Sequence, residues 1–349
     1  MKAYVLEGIG QLEYKEVPTP VLKENEVLVE VKAVGICGSD IPRIFETGTY
    51  HFPTIPGHEF SGKVVETGKS VSGDWSGKKV GVFPLIPCME CPACRKKQYE
   101  MCSHYNYLGS RCDGGFAEYV AVPEWNLIEL PQQVNYAEAA LLEPASVSLH
   151  SVRRLNWQEP IETVTLLGLG TIGVLITEWL KIFGVRKVYA TGHSEGHGKL
   201  MQSVTTQEYE YRNARQTAAL EWVMKETNEL GTDVVIDCVG TAQSLAEAIG
   251  CVRSGGQIMI VANPKGDIRL PKDIYWKILR KQIRVTGTWN STFVHEECDD
   301  WNTVLQKTAT GELHLQELIS HEFSFDKLDD GLNLMRNKNE YRNKIMIVR

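Results

Sequence analysis

The sequence predicts an α/β protein of two domains, one rich in short β-strands and one built on a doubly wound parallel sheet. Three observations carry this. The first third alternates apolar and polar residues in short runs punctuated by Gly and Pro. Over residues 164–183 an apolar strand, a G-x-G-x-x-G turn and a helical run follow without a gap. From there to residue 287, apolar strands alternate with helical patterns, the order of a parallel βαβ sheet. A length of 349 residues suits two medium domains.

Composition narrows the class. With 23% charged and 43% apolar residues, the chain reads as an ordinary globular one. A formal net charge of −7 argues against nucleic acid as a partner. No apolar run is long enough to cross a bilayer, and Glu7 falls where a signal peptide needs an apolar core. The nine cysteines are odd in number and four of them are bunched, which fits reduced thiols and a metal better than disulfides. A cytoplasmic location is expected.

Taken in order, residues 2–6 and 26–34 read as strands separated by Pro18 and Pro20, and further strands follow at 63–67 and 79–83. Between them lies a cluster of metal-ligating types. Gly-Ile-Cys37-Gly-Ser39-Asp40 and Pro-Gly-His58-Glu59 place a thiol, an imidazole and a carboxylate beside glycines. Zn²⁺ takes these donors and, in catalytic sites, keeps a position open. Glu143, in Leu-Leu-Glu-Pro, is a further carboxylate that could complete the set.

Cys88, Cys91, Cys94 and Cys102 follow in C-x₂-C-x₂-C-x₇-C spacing, within a lobe at about 85–105. Four thiolates make a closed tetrahedral zinc site, hence a structural one. Iron–sulfur ligation is the rival reading of two successive C-x₂-C steps. Lys96 and Lys97 are placed to offset part of the thiolate charge. Beyond the lobe, residues 109–123 read as a glycine turn and a strand. Asn135 with Glu138 predicts a capping box opening a helix over 135–143, which Pro144 interrupts, and a second helix spans 145–155.

The turn Gly168-Leu-Gly170-Thr171-Ile172-Gly173 lies between a strand at 164–167 and a helix at 174–183, with a second strand at 187–191. This is the dinucleotide fingerprint, in which glycines admit the pyrophosphate and the helix N-terminus faces it. The second strand should end in an acid for NAD; here Gly192 stands in that place. His193, Ser194, His197 and Lys199 could instead face a 2′-phosphate, so the loop is read as accepting NADP; the alternative is a merely solvated loop. Strands at 233–237, 255–262 and 283–287 and helices at 216–229 and 242–252 continue the pattern. Ligands in such sheets sit beyond the strand C-termini, which places Cys238, Val239, Ala262 and Gly287 near the cofactor. Helices are expected at 301–308 and 322–335, and a final strand at 344–348 that returns to the first domain.

Together these motifs resemble the zinc-containing medium-chain dehydrogenases over essentially the whole chain, and within them the polyol dehydrogenase branch. The resemblance implies a GroES-like catalytic domain at 1–153, a Rossmann domain at 154–289, and a return to the catalytic domain over 290–349. It implies two zinc ions per chain, one catalytic and one structural, NAD or NADP as cofactor, and a homodimer or homotetramer paired through Rossmann sheet edges. In the polyol branch the catalytic zinc is held by Cys, His and Glu, implying Cys37, His58 and Glu143, with Glu59 a nearby or exchanging ligand. The reaction implied is hydride transfer between a secondary alcohol of a polyol or polyol phosphate and NAD(P), giving a keto sugar.

One departure concerns the proton. Alcohol dehydrogenases pass it through a hydroxyl and then a histidine. Ser39 supplies the hydroxyl, but Pro42 occupies the histidine's place, leaving water or the cofactor ribose as the onward path. Arg43 and Arg111 are the candidate phosphate contacts, with surface or interface roles as the alternative. Trp289 and Asn290 are candidate substrate neighbours. An unphosphorylated polyol or another secondary alcohol, as in sorbitol or threonine dehydrogenases, is the alternative substrate. Zinc-free quinone or enoyl reductases and non-enzymatic relatives share the architecture; ligand sets at both metal positions argue against them.

Overall fold

The computed structural model describes residues 1–349 except 206 and 338–339. It forms two compact units: Met1–Ser146 with Ser291–Arg349, and Val147–Asn290. Among the described residues, no helix is long and apolar enough to cross a membrane.

The chain begins with β1 (Lys2–Gly8), β2 (Gln11–Glu16), β3 (Glu26–Ile36), α1 (Asp40–Phe45), β4 (Glu59–Thr67) and β5 (Lys79–Val82). Then come β6 (Leu85–Ile86), β7 (Asn106–Tyr107), β8 (Tyr119–Pro123), β9 (Leu127–Glu129), α2 (Tyr136–Ala140) and α3 (Leu142–Arg153). The second unit adds β10 (Thr163–Leu167), α4 (Thr171–Ile182), β11 (Lys187–Gly192), α5 (Glu195–Val204), β12 (Glu208–Asn213) and α6 (Ala219–Glu226). It closes with β13 (Thr232–Asp237), α7 (Ala242–Cys251), β14 (Val252–Ile260), α8 (Lys272–Arg280) and β15 (Arg284–Gly287). The tail is α9 (Asp300–Ala309), β16 (Ile319–Ser324), α10 (Leu328–Arg336) and β17 (Lys344–Val348).

In the first unit the sheet runs β16-β17-β3-β4-β5-β9, with β8 also on β3. The tail strand β17 lies antiparallel to β3, pairing Ile345 with Ile36. Val27, Val29, Val34, Phe60, Val80, Phe116 and Ile345 form its buried core. Removing these β-branched and aromatic side chains from water, at roughly 1.5–3 kcal/mol each, holds the sheet closed over the segment that carries Cys37 and His58.

The second unit has the order β12-β11-β10-β13-β14-β15, all parallel, the arrangement of a dinucleotide-binding sheet. Its strand C-termini line up at one edge, where Leu167, Thr191 and Asp237 are in register or adjacent.

Several local expectations change. Pro144 does not break a helix; it sits in the first turn of α3, where its missing N–H has no intrahelical partner to lose. The capping box at Asn135 and Glu138 is formed, but α2 ends at Ala140. The segment expected to be helical from 322 is strand as far as Ser324, because it pairs with β17, and helix starts only at Leu328. Strand β12 and helix α8 were not expected from the sequence: β12 is only half-covered, and α8 has no fully buried residue although Ile274 and Ile278 pack against the core of the second unit.

Candidate active site

Strand β3 ends one residue before Cys37, and β4 starts at Glu59. The two are antiparallel neighbours with Gly35 opposite Glu59, so register alone brings Cys37 to His58 and Glu59. A Cβ at position 35 would lie 2.4 Å from Glu59 Oε2, which is why glycine stands there. The ligand atoms of Cys37, His58 and Glu59 all lie within 4.8 Å of one another. His58 and Glu59 are buried and Cys37 is half-buried, so the set opens on the Cys37 side. Glu143, from the first turn of α3, is buried and stands outside that group, in electrostatic reach of His58, Glu59 and Lys344. Burial raises its pKa, and the nearby His58 charge partly offsets this.

Supporting groups fix the set. Asp40, wholly buried, accepts from Cys37 N at 2.9 Å and Arg43 Nη1 at 2.8 Å. Its Oδ1 faces His58 Nδ1 at 3.4 Å. That approach is not directed as a hydrogen bond, and Nδ1 remains a buried polar atom with none. Burial alone would lift the Asp40 carboxyl, but His58, Arg43 and the Cys37 N–H bring it below its usual range. For His58, burial disfavours the charged form, yet Asp40 and Cys37 hold its pKa well above the ordinary value. The Ser39 hydroxyl donates to Cys37 Sγ at 3.2 Å. A concentrated negative environment around a thiol, an imidazole and carboxylates suits a divalent cation, and these donors fit zinc.

The other side of the set is closed by two residues. Lys344, opening β17, donates to Glu59 Oε2 at 2.5 Å. Tyr107 Oη donates to Glu143 Oε1 at 3.1 Å, and its ring lies 5.9 Å from that of His58.

Cys88, Cys91, Cys94 and Cys102 form a second group whose sulfurs lie within 4.8 Å of one another. The 91–94 distance is 3.5 Å, and the 88–94 and 91–102 distances are 3.9 Å. Tetrahedral zinc with Zn–S near 2.3 Å needs sulfurs about 3.8 Å apart. The spacing suits one tetrahedral ion and favours zinc over a multi-iron cluster. All four are free thiols. Backbone N–H groups lower the Cys91 pKa, while burial raises those of Cys94 and Cys102. Lys97 is not given over to the thiolates: its Nζ pairs with Glu296 at 2.8 Å. Tyr99 stacks edge-on to Trp125, which touches Phe293 and His295, so aromatic rings tie the lobe to the start of the tail.

In the second unit the three fingerprint glycines meet three demands. Gly168 has φ +92°, the left-handed turn after β10. A Cβ at Gly170 would meet nothing within 4 Å, leaving open space at the α4 N-terminus, while one at Gly173 would sit 2.5 Å from Gly168 O. Such open space over an uncapped helix N-terminus is what a pyrophosphate requires. Thr171 and Ile172 form the first turn of α4. Val239 packs beside Gly168, and Asp237 Oδ1 holds Val239 N at 2.8 Å and Gly240 N at 3.2 Å. Cys238 N bonds Leu167 O at 2.9 Å, and Ala262 N reaches Asp237 O at 3.2 Å, so both sit at the strand ends. Gly192 closes β11, Ser194 caps α5 through Gly196 N, and His193 and Lys199 are exposed.

Of the substrate candidates, Arg43 is engaged by Asp40. The Arg111 guanidinium carbon lies over the ring of Tyr50 at 4.0 Å and that of Tyr105 at 4.4 Å, with Nε buried and unbonded among the described residues. Trp289 is 51% exposed, and Asn290 adopts φ +54°. Sequence reasoning gave no role to Asp40, Tyr107 or Lys344. Asp40 was signalled by its place three residues after Cys37; Lys344, opening an apolar strand, and Tyr107 carried no local signal.

Comparison with known proteins shows the family. A family model described as the alcohol dehydrogenase GroES-like domain matches residues 23–132, and one described as zinc-binding dehydrogenase matches 171–310. Galactitol 1-phosphate 5-dehydrogenase of Escherichia coli K12 is 31% identical over 93% of this chain and 94% of its own. A crystal structure of galactitol-1-phosphate dehydrogenase from Escherichia coli superposes with TM-score 0.90 at 30% identity, covering 100% of both chains. Sorbitol dehydrogenase of Bacillus subtilis 168 is 29% identical over 97% of this chain and 95% of its own. A zinc-binding dehydrogenase from Sinorhizobium meliloti 1021, solved with NADP, gives TM-score 0.89 at 27% identity over 100% of this chain and 99% of that one. With its GroES-like sheet, parallel nucleotide sheet and full-length kinship to polyol dehydrogenases, this chain belongs to the zinc-binding alcohol dehydrogenase family of oxidoreductases.

Proposed function

We propose that this oxidoreductase interconverts a secondary alcohol of a polyol phosphate and the corresponding keto sugar phosphate, using NAD or NADP. The observation that carries the phosphate is Arg111. Its guanidinium carbon lies over the rings of Tyr50 and Tyr105, and its buried Nε has no hydrogen-bond partner among the described residues, an arginine suited to meet phosphate oxygens. Tyr105 and Tyr107, with rings 6.2 Å apart, continue the aromatic run from Arg111 to His58. Arg111 is thereby linked to the donor set on the same unit. Arg43, bound to Asp40, serves instead to steady His58.

Cys37, His58 and Glu59, whose ligand atoms lie within 4.8 Å of one another, would hold the catalytic zinc in place of the Cys37, His58 and Glu143 set, with Glu143 close beside them, and the four cysteines would hold the structural ion. Zinc supplies Lewis acidity there, the property that brings the pKa of bound water from ~15.7 to about 7, and nicotinamide supplies the hydride acceptor. The protein's share is placement. Asp40 orients His58, Ser39 steadies the Cys37 thiolate and offers a hydroxyl for the departing proton, and burial of His58 and Glu59 excludes water from that side. Pro42, inside α1, has no proton to carry.

Gly168, Gly170 and Gly173 with the α4 N-terminus would take the pyrophosphate, Cys238, Val239 and Ala262 the ring-side edge, and Gly192, His193, Ser194 and Lys199 the adenosine ribose. An edge without an acid at Gly192 and with exposed His193 and Lys199 favours acceptance of NADP, which the Sinorhizobium meliloti relative binds. Edge strand β15, with Val285 exposed, and α8, with Tyr275, Trp276 and Leu279 exposed, are assigned to pairing of two copies.

A screen of polyols and polyol phosphates at 340 nm with each coenzyme tests the reading. Arg111→Ala is expected to raise KM for the phosphorylated substrate at least tenfold while changing little for the unphosphorylated polyol. Equal turnover of both polyol forms by the unaltered protein would instead favour a sorbitol-type activity, which the Bacillus subtilis relative carries by name.

A further inference from the structure

Residues 49–55 lie along residues 110–114 and are strapped to them at four points. The Thr49 hydroxyl donates to Ser110 O, and His51 Nε2 lies 3.1 Å from Arg111 O. Ile55 N donates to Asp113 Oδ1 at 2.9 Å, and Gly114 N donates to Ile55 O at 2.8 Å. Between the first two straps stands Tyr50, whose ring lies 4.0 Å from the Arg111 guanidinium carbon. Burial does little to hold this stretch, since Tyr50 is 67% and Phe52 41% exposed. The other ring nitrogen of His51, Nδ1, faces Pro53 O and Thr54 Oγ1, each at 3.1 Å. The Thr54 hydroxyl gives its one proton to His51 O at 2.6 Å. Both ring nitrogens therefore point at oxygens that can only accept. A neutral imidazole has one N–H and satisfies one side; an imidazolium has two and satisfies both.

We propose that His51 is a positioning residue for the phosphate end of the site: as an imidazolium it clasps the Tyr50 loop to the Arg111 loop, and as a neutral ring it leaves one side of the clasp open. Histidine is the side chain that changes charge between about pH 5 and 8, and of the four straps only this one does so. The charged form holds Tyr50 against the Arg111 guanidinium and adds a positive charge at the backbone of Arg111. The charged and titratable residues on the elements packed against it are Arg111 and Asp113 on the facing loop and Tyr50 beside it. On β1, which meets Thr54 through Leu6, Glu7 is taken by Lys15. Arg111 opposes the imidazolium and Asp113 favours it. An anion bound at Arg111 offsets the arginine's charge, so anion binding and protonation of His51 reinforce each other, as linkage requires. The proposal rests on the reading of Arg111 as the phosphate contact.

The test uses the full chain loaded with zinc, and sulfate as the probe. Sulfate stays doubly charged over the whole range, whereas a phosphate monoester gains a proton near about pH 6. Its affinity is taken from calorimetric titration as the part lost in Arg111→Ala. From about pH 6 to about pH 8 that affinity should fall about fivefold or more in the unaltered protein. In His51→Gln, which keeps an N–H donor but carries no charge, it should change less than about twofold. Hydrogen exchange of residues 46–56, corrected for the intrinsic rate, should be about fivefold slower at the lower pH in the unaltered protein, and equal at both in His51→Gln. The same pH dependence of both measurements with and without the imidazole would overturn the role of His51 and leave the phosphate reading intact. Sulfate binding that survives Arg111→Ala in full would show that the phosphate reading itself had failed. Loop exchange then decides the clasp alone: protection that falls with pH only when His51 is present upholds it, and protection indifferent to pH overturns it.

Discussion

Lys344 and Glu59 form a buried ion pair, Nζ to Oε2 at 2.5 Å, between residues 285 positions apart in the chain. Both side chains are almost wholly enclosed, at 4% and 1% exposure, so neither charge can be satisfied by water. Burial alone would depress the lysine's pKa, but Glu59 and then Cys37 raise it above the ordinary value. The last strand of the chain therefore supplies the counter-charge for a carboxylate of the donor set. Its ammonium holds Glu59 beside the site, where it is available to a metal.

Removing one member of such a pair leaves an uncompensated buried charge. Lys344→Met should lower the unfolding free energy of the zinc-free protein by about 3–5 kcal/mol. Zinc, as the remaining cation, should restore part of that loss. The double variant Lys344→Met with Glu59→Gln should recover most of it. Urea titrations of the three proteins with and without zinc check this, and an unmoved midpoint for Lys344→Met would remove the pair from any structural role.

The four-cysteine lobe predicts a separable ion. Cys94→Ser should reduce zinc from two ions per chain to one by elemental analysis and lower the melting temperature. The Tyr99 and Trp125 rings, 5.0 Å apart, connect the lobe to the tail, so tryptophan emission should shift with loss of this ion. Loss of zinc without any change in emission would mean that the rings pack independently of the metal.

The nucleotide turn separates two kinds of glycine. Gly170→Ala places its methyl in open space, so the fold should be retained while NAD(P) affinity falls roughly tenfold, because close approach of the pyrophosphate is blocked. Gly173→Ala would put a methyl 2.5 Å from Gly168 O, so this variant should lose thermal stability as well. Dye-based melts and coenzyme titration by fluorescence distinguish the two.

A pH effect is expected from Asp233. It accepts from Thr163 N at 2.8 Å, Glu162 N at 3.0 Å and Arg253 Nε at 2.7 Å. Burial pushes its pKa up, but Arg253 and the Thr163 and Glu162 donors outweigh this and hold it below the usual range. A depressed pKa contributes stability that is complete above the unfolded value of about 3.9 and is lost as pH falls through the folded value. Asp233→Asn should therefore cost roughly 1–3 kcal/mol at pH 7, a difference that shrinks below about pH 4. Unfolding curves at pH 7 and pH 3.5 check the sign.

Much of the architecture was legible because the governing patterns are local. The alternation of residues 26–34 specified β3, and Asn135 with Glu138 specified the start of α2. Spacing marked the four cysteines as a candidate metal lobe, and their sulfur separations favour a single ion over a multi-iron cluster. Less was legible where partners override local preference. Residues 319–324 became strand because β17 lies alongside, and Pro144 was absorbed into a first turn.

By itself the sequence determined the two sheet types, the dinucleotide turn, the cysteine lobe and the set of thiol, imidazole and carboxylates from which a metal site could be drawn. Those depend on residue type, spacing and period, which are written along the chain. The tertiary structure alone decided which carboxylate joins Cys37 and His58, that Arg43 turns to Asp40 while Arg111 lies against Tyr50 and Tyr105, and that Tyr107 and Lys344 secure Glu143 and Glu59. These depend on strand register and on burial that forces charges to find partners, and such pairings join positions with no local relation to one another.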